Sequence, residues 1–431
     1  MFHLLCTFDA PKTNTAIKTL ANSKKLLVIA LVWPEPASTA AGERMMQLLA
    51  VFLQQGYTIT VASAASNFEF SADLNSIGIQ TQTIELNNAS FDAFISNLQP
   101  EVVLFDRFLS EEQYGWRVTE QCPGAVRILD TEDLHSLRHV REQCFKKDME
   151  CTTGVWLQDD RTKREIASIY RCDLSLIISD FELELLTDVI KIDKSLLLLL
   201  PFMHNKISET QVWTSFEERS DFIFIGGGKH APNLDAIKVL KTTIWPLVHE
   251  KLPEAKLNIY GAYLPQHVIE MHNSKEGFLV KGRAVDVNEV MEAARVCLAP
   301  LRFGAGIKGK LVAAMANGTP SVTTTLGAEG MHGILAWNGS IENDPTAFVD
   351  AAVRLYTNET IWSSAQEQGK ILINTLYSKT SLEKILITAI DEIQENLPQH
   401  RQQNFIGALL QHQTLQSTKF MGKWIEEKNR G

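Results

Sequence analysis

One short stretch combines the residue types and spacing that bind an anion. In RFGAGIKGKLVAAMANG, Gly304, Gly306 and Gly309 alternate with Lys308 and Lys310, directly after an apolar strand and at the start of a helix. Because glycines have no side chain, backbone N–H groups can approach an anion at the positive end of that helix. Residues two apart on a helix do not share a face, so if both lysines are helical only one should point at a bound phosphate. The stretch predicts a phosphate site, with a Gly-rich turn and solvated lysines as the alternative.

Another group of polar residues follows a different apolar strand. LDTEDLHSLR places Asp130, Glu132, Asp133 and His135 just after AVRILD. Side chains of these types can hydrogen-bond hydroxyl groups. The alternative for His135 is a loop histidine that caps a helix.

The loop STAAGER joins the first apolar strand to its helix and contains Gly42 and Arg44. Gly42 allows close backbone approach, and Arg44 is suited to a phosphate or an anionic acceptor. A plain helix-start signal explains the same residues equally well.

The elements that must position these residues form two blocks of alternating strands and helices. The first block has strands at Leu26–Trp33, Tyr57–Ser63, Gly78–Leu86, Glu101–Asp106, Ala125–Asp130 and Leu174–Ser179. The second has strands at Asp221–Gly228, Ala255–Gly261, Gly277–Gly282, Arg295–Leu301 and Pro320–Thr325. Continuous apolar strands between helices predict parallel sheets covered on both faces. We therefore expect an α/β fold of two doubly wound, Rossmann-like domains, with ligands at the carboxyl ends of the strands.

The domain limits follow from the same pattern. We predict an N-terminal extension (residues 1–24), a first domain (25–200), a polar linker (201–220), a second domain (221–385) and a helical tail (386–431). From Pro398 on, the chain carries more basic than acidic residues among scattered apolar ones. A helix packed back on the first domain is one interpretation of this tail, and contact with a membrane surface is the other.

Composition excludes several classes of protein. With 41 basic against 51 acidic residues and a net charge of -10, the chain is a poor candidate for bulk binding to nucleic acid. The six cysteines form no C-x-x-C pair, which argues against a zinc ribbon and favours reduced thiols in a cytosolic protein. No apolar stretch has the length of a membrane span or a signal peptide. We expect a cytoplasmic protein, with the inner face of the membrane as a further option.

The second block resembles a known family. DFIFIGGGKHAPNLDAIKVL, LNIYG and the stretch from VKGRAVD to GAEGM look like the C-terminal domain of a glycosyltransferase family 4 enzyme of GT-B architecture (glycosyl transferases group 1). The resemblance covers Asp221 to Met331, and the first block is similar more loosely. It implies transfer of a sugar from a nucleotide-sugar donor to a glycan, glycolipid or small-molecule acceptor. It also implies these donor-binding residues: Gly226, Gly227, Lys229, Arg283, Gly304, Gly306, Lys308 and Lys310.

One departure from the family concerns two glutamates that usually lie eight positions apart around the Gly-Lys stretch. The matching positions are Ala305 and Ala313, which cannot accept a hydrogen bond from a sugar hydroxyl. Glu329, in GAEGM, is the nearest candidate to replace one of them, with helix capping as the alternative. The donor is then held differently, or the donor itself differs, or the activity is lost.

On the acceptor side, the resemblance makes His135 the catalytic candidate, next to the transferred sugar. A retaining transfer needs stabilisation of the departing diphosphate, whose oxygen can itself take the acceptor proton. We expect neither a metal ion nor a cofactor, since the sequence has no D-x-D motif and GT-B enzymes do not usually need one. Alternatives are a decayed nucleotide- or glycan-binding protein and another enzyme of the same architecture, such as a nucleotide-sugar epimerase. The predicted acceptor-side residues are Gly42, Arg44, Asp130 and Asp133.

Overall fold

The computed structural model describes residues 24–412 together with Phe420, Met421, Trp424 and Lys428. The predicted N-terminal extension therefore lies outside the described residues, except for Lys24. The same holds for most of the predicted tail beyond residue 412.

The first sheet is built from seven parallel strands. They are β1 (Lys25–Ile29), β2 (Thr58–Ser63), β3 (Gln80–Thr83), β4 (Val102–Asp106), β5 (Val126–Asp130), β6 (Leu174–Ile177) and β7 (Leu197–Leu199). Their spatial order is β3-β2-β1-β4-β5-β6-β7. The helices are α1 (Ala40–Gln54), α2 (Ser90–Leu98), α3 (Arg107–Gln121), α4 (His135–Lys146), α5 (Thr153–Gln158), α6 (Asp160–Arg171) and α7 (Asp180–Glu184).

The second sheet has six parallel strands. They are β8 (Ser220–Ile225), β9 (Leu257–Tyr260), β10 (Phe278–Gly282), β11 (Ala294–Ala299), β12 (Ser321–Thr323) and β13 (Gly339–Ile341), in the order β10-β9-β8-β11-β12-β13. Its helices are α8 (Ala231–Val239), α9 (Trp245–Lys251), α10 (Gln266–Ile269), α11 (Val287–Ala293), α12 (Gly309–Ala316), α13 (Thr325–Ala328), α14 (Pro345–Thr357) and α15 (Glu359–Leu376).

Strand β1 shows why continuous apolar strands are needed here. Leu26 and Val28 pack into one apolar cluster, whereas Leu27 and Ile29 pack into another on the opposite face of the sheet. Because helices cover both faces, all four positions from Leu26 to Ile29 are buried. The predicted doubly wound α/β architecture is confirmed.

The end of the chain returns to the first domain. Helix α16 (Lys379–Glu395) places Leu386 and Ile390 in the same apolar cluster as residues of α1, and α17 (Leu397–Gln403) and α18 (Phe405–Gln411) follow. The predicted limit between residues 385 and 386 falls inside α16. Where the chain crosses back, the backbone N–H of Lys379 donates to the carbonyl of His204 at 2.8 Å. The two chain segments that connect the domains therefore run side by side.

Candidate active site

A cleft of about 530 Å³ lies between the carboxyl ends of the two sheets. Loops after β1, β4 and β5 line one side, and loops after β8, β9 and β11 line the other. Both sheets are parallel and doubly wound, so these loops converge at one place as such folds require. Most of the residues that the sequence singles out lie here.

The Gly-Lys loop runs from the end of β11 to the start of α12, and both of its lysines line the cleft. Lys308 is the N-cap residue of α12, with φ -88° and ψ 96°, so it is not helical. The condition under which only one lysine was expected to face the cleft is therefore not met, because the rule on residues two apart applies only within a helix. The N–H groups of the first turn of α12 add the helix dipole to the two ammonium charges.

The two lysines keep their charge available. Lys310 Nζ donates to the side-chain oxygen of Asn233 at 2.8 Å, and Lys308 Nζ donates to the Gly306 carbonyl at 2.6 Å. Each ammonium group thus contacts a neutral oxygen. Burial lowers the pKa of each lysine to about 8, so both are mostly protonated at neutral pH. An anion in the cleft would be the natural partner of this charge.

Gly306 allows the loop to touch the first domain. Its φ of +64° is in the left-handed region, and a Cβ there would lie 2.6 Å from the Cβ of Asp133 across the cleft. A larger residue would be strained and would also push the domains apart. Gly304, in the same loop, accepts a hydrogen bond at its carbonyl from Arg141 of α4 at 2.9 Å.

The other predicted donor-side cations are held by aromatic rings. Gly226, Gly227 and Lys229 line the cleft after β8, as does Arg283 after β10. Lys229 Nζ lies 3.6 Å from the ring centre of Tyr263 and 4.8 Å from that of Phe68. The Arg283 guanidinium lies 4.6 Å from the ring centre of Phe70. Phe68 and Phe70 belong to the first domain, so these cation–π contacts bridge the mouth of the cleft.

His135 is the first residue of α4 and borders the cleft with only 13% of its side chain exposed. Its Nε2 lies 3.4 Å from a carboxylate oxygen of Asp133. Burial, with Arg138 and Arg107 nearby, lowers the pKa of His135 well below its ordinary value. The imidazole is therefore neutral in the physiological range and suited to hydrogen bonding.

Arg44 and Asp130 form a buried ion pair. Arg44 Nε donates to an Asp130 oxygen at 2.9 Å, and its Nη1 donates to the Leu200 carbonyl at 2.7 Å. This arrangement joins α1, β5 and the end of β7 underneath the cleft. The guanidinium and the carboxylate are thus already bound to each other at the positions predicted for acceptor contacts.

Gly42 lies in the first turn of α1 rather than in a loop. The helix begins at Ala40, and the Thr39 hydroxyl caps it by accepting a hydrogen bond from the Gly42 N–H. A Cβ at Gly42 would lie 2.6 Å from the Glu35 carbonyl oxygen. Glycine is needed here so that the segment around Glu35 can cross the helix at the cleft wall.

Glu329 does not line the cleft. Its two oxygens accept hydrogen bonds from Arg141 Nη1 and Nη2 at 2.6 and 2.9 Å, in a bidentate pair between the two domains. Ala305 and Ala313 do border the cleft. The structure therefore places the candidate replacement for the missing glutamates in an interdomain contact.

Several cleft residues form pairs that the sequence did not indicate. Tyr263 donates from its hydroxyl to Glu35 at 2.8 Å across the cleft. Arg107 and Glu132 pair at 2.5 Å, and both have positive φ angles, 68° and 62°. All four residues lie in loops or helix starts after the carboxyl ends of strands, and that position was the available signal. Their pairing was not visible in the sequence because it depends on long-range packing.

The described part of the chain contains no group of three or more His, Cys, Asp or Glu side chains arranged to hold a metal ion. Within the same residues, no helix is both long and apolar enough to cross a membrane.

Comparison with known proteins gives a family match and several structural neighbours. Residues 219–358 match the family model of Glycosyl transferases group 1. The fold is similar to that of sucrose-phosphate synthase from Thermosynechococcus elongatus, with 15% identity and a TM-score of 0.64 over 86% of this chain and 99% of that one. No curated protein matches the chain.

Two further neighbours were solved with nucleotide bound. The pneumococcal O-GlcNAc transferase GtfA, in complex with UDP and GlcNAc, has 12% identity and a TM-score of 0.64 over 86% of this chain and 99% of that one. HepE from Anabaena, in complex with UDP, has 10% identity and a TM-score of 0.61 over 86% of this chain and 100% of that one. The predicted family resemblance and the GT-B fold are confirmed.

Proposed function

We propose that this chain, a glycosyltransferase of GT-B fold whose residues 219–358 belong to the group 1 family, transfers a sugar with retention from a nucleoside diphosphate sugar to a hydroxyl acceptor. One observation carries the proposal. Lys308, Lys310 and the start of α12 converge on the cleft, and both ammonium groups donate hydrogen bonds to neutral oxygens. A diphosphate is the ligand that such a site stabilises best.

The donor binds to the second domain. Its diphosphate lies at the Gly-Lys loop, bounded by Gly226 and Gly227, and the base lies on the side of Arg283. Because UDP is bound in the structures of GtfA and HepE, UDP-sugars are the first donors to test.

As the bond between the sugar and the diphosphate breaks, negative charge develops on the leaving phosphate oxygen. The two lysines and the N–H groups of α12 stabilise that charge, and the same oxygen takes the acceptor proton. Neutral His135 hydrogen-bonds the sugar and orients it toward the acceptor. The acceptor hydroxyl approaches from the first domain, near Asp133 and Arg138.

The protein's own cations neutralise the diphosphate, so the reaction needs no metal ion and no cofactor. Two lysines and a helix N-terminus supply the charge that a divalent cation supplies in other transferases. Turnover should therefore persist in excess EDTA.

The test is release of nucleoside diphosphate from a panel of UDP-, GDP- and ADP-sugars, followed by mass spectrometry of the product. Turnover with one donor that falls in Lys310→Ala, but not in the exposed-lysine control Lys163→Ala, supports the proposal. Tight binding without turnover would favour the decayed alternative, which the alanines at 305 and 313 motivate.

The end of the chain is suited to an anionic membrane surface. Six large apolar side chains in this region are about half exposed or more, and the sequence from Pro398 on has more basic than acidic residues. Exposed apolar groups beside basic ones bind lipid headgroup regions. The apolar residues are Phe405, Ile406, Leu409, Phe420, Met421 and Trp424. With such a contact, a glycolipid is the first acceptor class to test.

Vesicle flotation tests this contact. Phe405→Ser with Leu409→Ser should release the protein from phosphatidylglycerol vesicles. The matched control, Ile334→Ser, removes a fully exposed apolar side chain elsewhere and should have no effect. Equal binding to neutral vesicles, or no binding by the wild type, would contradict the membrane contact.

A further inference from the structure

Two buried carboxylates outside the cleft hold the first turn of α4, the helix that begins with His135. Glu182 accepts from the Leu134 N–H at 2.9 Å. Glu165 accepts from the N–H groups of His135 and Ser136, each at 2.9 Å. Both glutamates are buried, and they come from α7 and α6.

The start of α4 lacks a capping side chain at its own N-cap position. The first N–H groups of a helix lack partners within the helix, and a Ser, Thr, Asp or Asn at the N-cap normally accepts from one of them. Here the N-cap residue is Leu134, whose side chain cannot accept a hydrogen bond. The cap is supplied instead by residues 30 and 48 positions away along the chain.

The arrangement fixes α4 relative to the rest of the first domain. The Ser136 hydroxyl donates to Glu165 at 2.6 Å and accepts from the Trp156 indole at 2.9 Å. Burial disfavours the charged form of a carboxyl group, and it raises the pKa of Glu165 to about 7 and that of Glu182 to about 8. A serine at the N-cap would accept from one of these N–H groups, but it would not tie α4 to α6 and α7.

We propose that Glu165 and Glu182 are positioning residues, which hold the backbone of α4 so that the His135 side chain lies at the cleft where the transferred sugar binds. This inference rests on the proposed function, in which His135 contacts the sugar. Neither glutamate touches the substrate, so both act through His135. Small displacements of a group that contacts the reacting centre are costly to turnover.

The experiment is a double-mutant cycle between Glu165→Gln and His135→Ala. In the wild-type background, Glu165→Gln should lower kcat by on the order of 10- to 100-fold. The KM for donor and the affinity for nucleoside diphosphate should change little, because the Gly-Lys loop is untouched. In the His135→Ala background, Glu165→Gln should have almost no further effect. Glu184→Gln, an exposed carboxylate on α7, is the matched control.

Each outcome has a separate meaning. An equal fall of kcat in both backgrounds would overturn the positioning role, and so would an unchanged kcat in the wild-type background. A His135→Ala variant with the wild-type kcat would overturn the role of His135 in the proposed function. Glu182→Gln, judged by the same criteria, serves if Glu165→Gln does not fold by circular dichroism.

A crystal structure of Glu165→Gln provides a readout that needs no activity. The His135 ring should move by about 1 Å or more relative to β5. An unmoved ring would overturn the proposal even if the wild type proves inactive on every donor tested.

Discussion

The two sides of the cleft differ in whether their basic side chains are paired with carboxylates. On the second domain, Lys308 and Lys310 contact neutral oxygens and leave their charge open to a ligand. On the first domain, arginines are already paired with carboxylates: Arg44 with Asp130, Arg107 with Glu132, and Arg138 with Asp133. One side is therefore built for an anion, whereas the other offers neutral or compensated groups.

This difference separates donor from acceptor. The negatively charged diphosphate of the donor binds the two lysines that have no carboxylate partner among the described residues, and burial strengthens each of these contacts. The first domain, with its paired charges and neutral His135, suits sugar hydroxyls that need orientation rather than neutralisation. Mutations on the second domain should therefore change donor affinity, whereas mutations on the first domain should change turnover.

The largest effect should come from the open lysines. Lys308→Ala and Lys310→Ala should each weaken donor binding by on the order of 10- to 150-fold, since a charged hydrogen bond contributes about 1.5–3 kcal/mol. The two losses should be comparable, because both lysines line the cleft. Calorimetric titration with nucleoside diphosphate measures them against Lys163→Ala. Full affinity in both variants would show that the donor binds elsewhere.

Contact between the two sides is tested at Gly306. Gly306→Ala should lower turnover by on the order of tenfold or more, because its Cβ would meet Asp133 and hold the domains apart. Gly333→Ala is the control, since Gly333 also has a positive φ, +53°, but no atom lies within 4 Å of the added Cβ. Steady-state kinetics on both variants separates steric contact from backbone strain. Similar losses in the two would remove the argument for close contact.

A smaller effect is expected from the ion pair that joins the sides. Arg141→Ala removes the bidentate contact with Glu329. The cleft should then open, with the two connecting segments at His204 and Lys379 as the hinge. Small-angle scattering should then show a larger radius of gyration, which nucleoside diphosphate reduces. Arg164→Ala, which breaks a bidentate pair within the first domain, should leave the radius unchanged. Identical radii for all three proteins would contradict closure.

The pH dependence of donor affinity and of stability tests whether Lys308 and Lys310 are charged and unpaired. Donor affinity should fall as pH rises through about 8, where Lys308 and Lys310 lose their protons. The unfolded chain keeps these protons up to their ordinary pKa of 10.5, so it binds more protons than the folded protein between these values. Ligand-free protein should therefore gain stability from these groups over the same range. Titrations and thermal melts across this range would show opposite trends, and parallel trends would contradict the assignment.

The smallest effect is expected at Ala313. Ala313→Glu places a carboxylate beside the open lysines, where it should repel the diphosphate and lower donor affinity by less than about tenfold. Ala313→Gln has the same shape without the charge and should change affinity less. A gain in both affinity and turnover for Ala313→Glu would instead support a decayed site.

The fold was predictable because most of the central strands have a local apolar pattern. Strand β13 (Gly339–Ile341) lacks such a pattern and was not predicted. The position of the cleft followed from topology, since loops after parallel strands must converge. For that reason the Gly-Lys loop and His135 were found from the sequence as cleft residues, whereas Arg283 was found from the family resemblance.

The partners of these residues were not predictable. The start of α12 decides whether Lys308 is helical, and periodicity does not fix helix ends to one residue. The pairing of Arg44 with Asp130 and of Arg141 with Glu329 joins positions 86 and 188 residues apart. Such contacts depend on how whole domains pack, which a single sequence does not encode locally.

A crystal structure with UDP bound tests the central claim most directly. The account predicts diphosphate oxygens within about 3 Å of Lys308 Nζ, Lys310 Nζ and the first N–H groups of α12. It also predicts the base on the side of Arg283. A diphosphate bound instead by the paired arginines of the first domain, or a Gly-Lys loop left without ligand at saturating UDP, would contradict it.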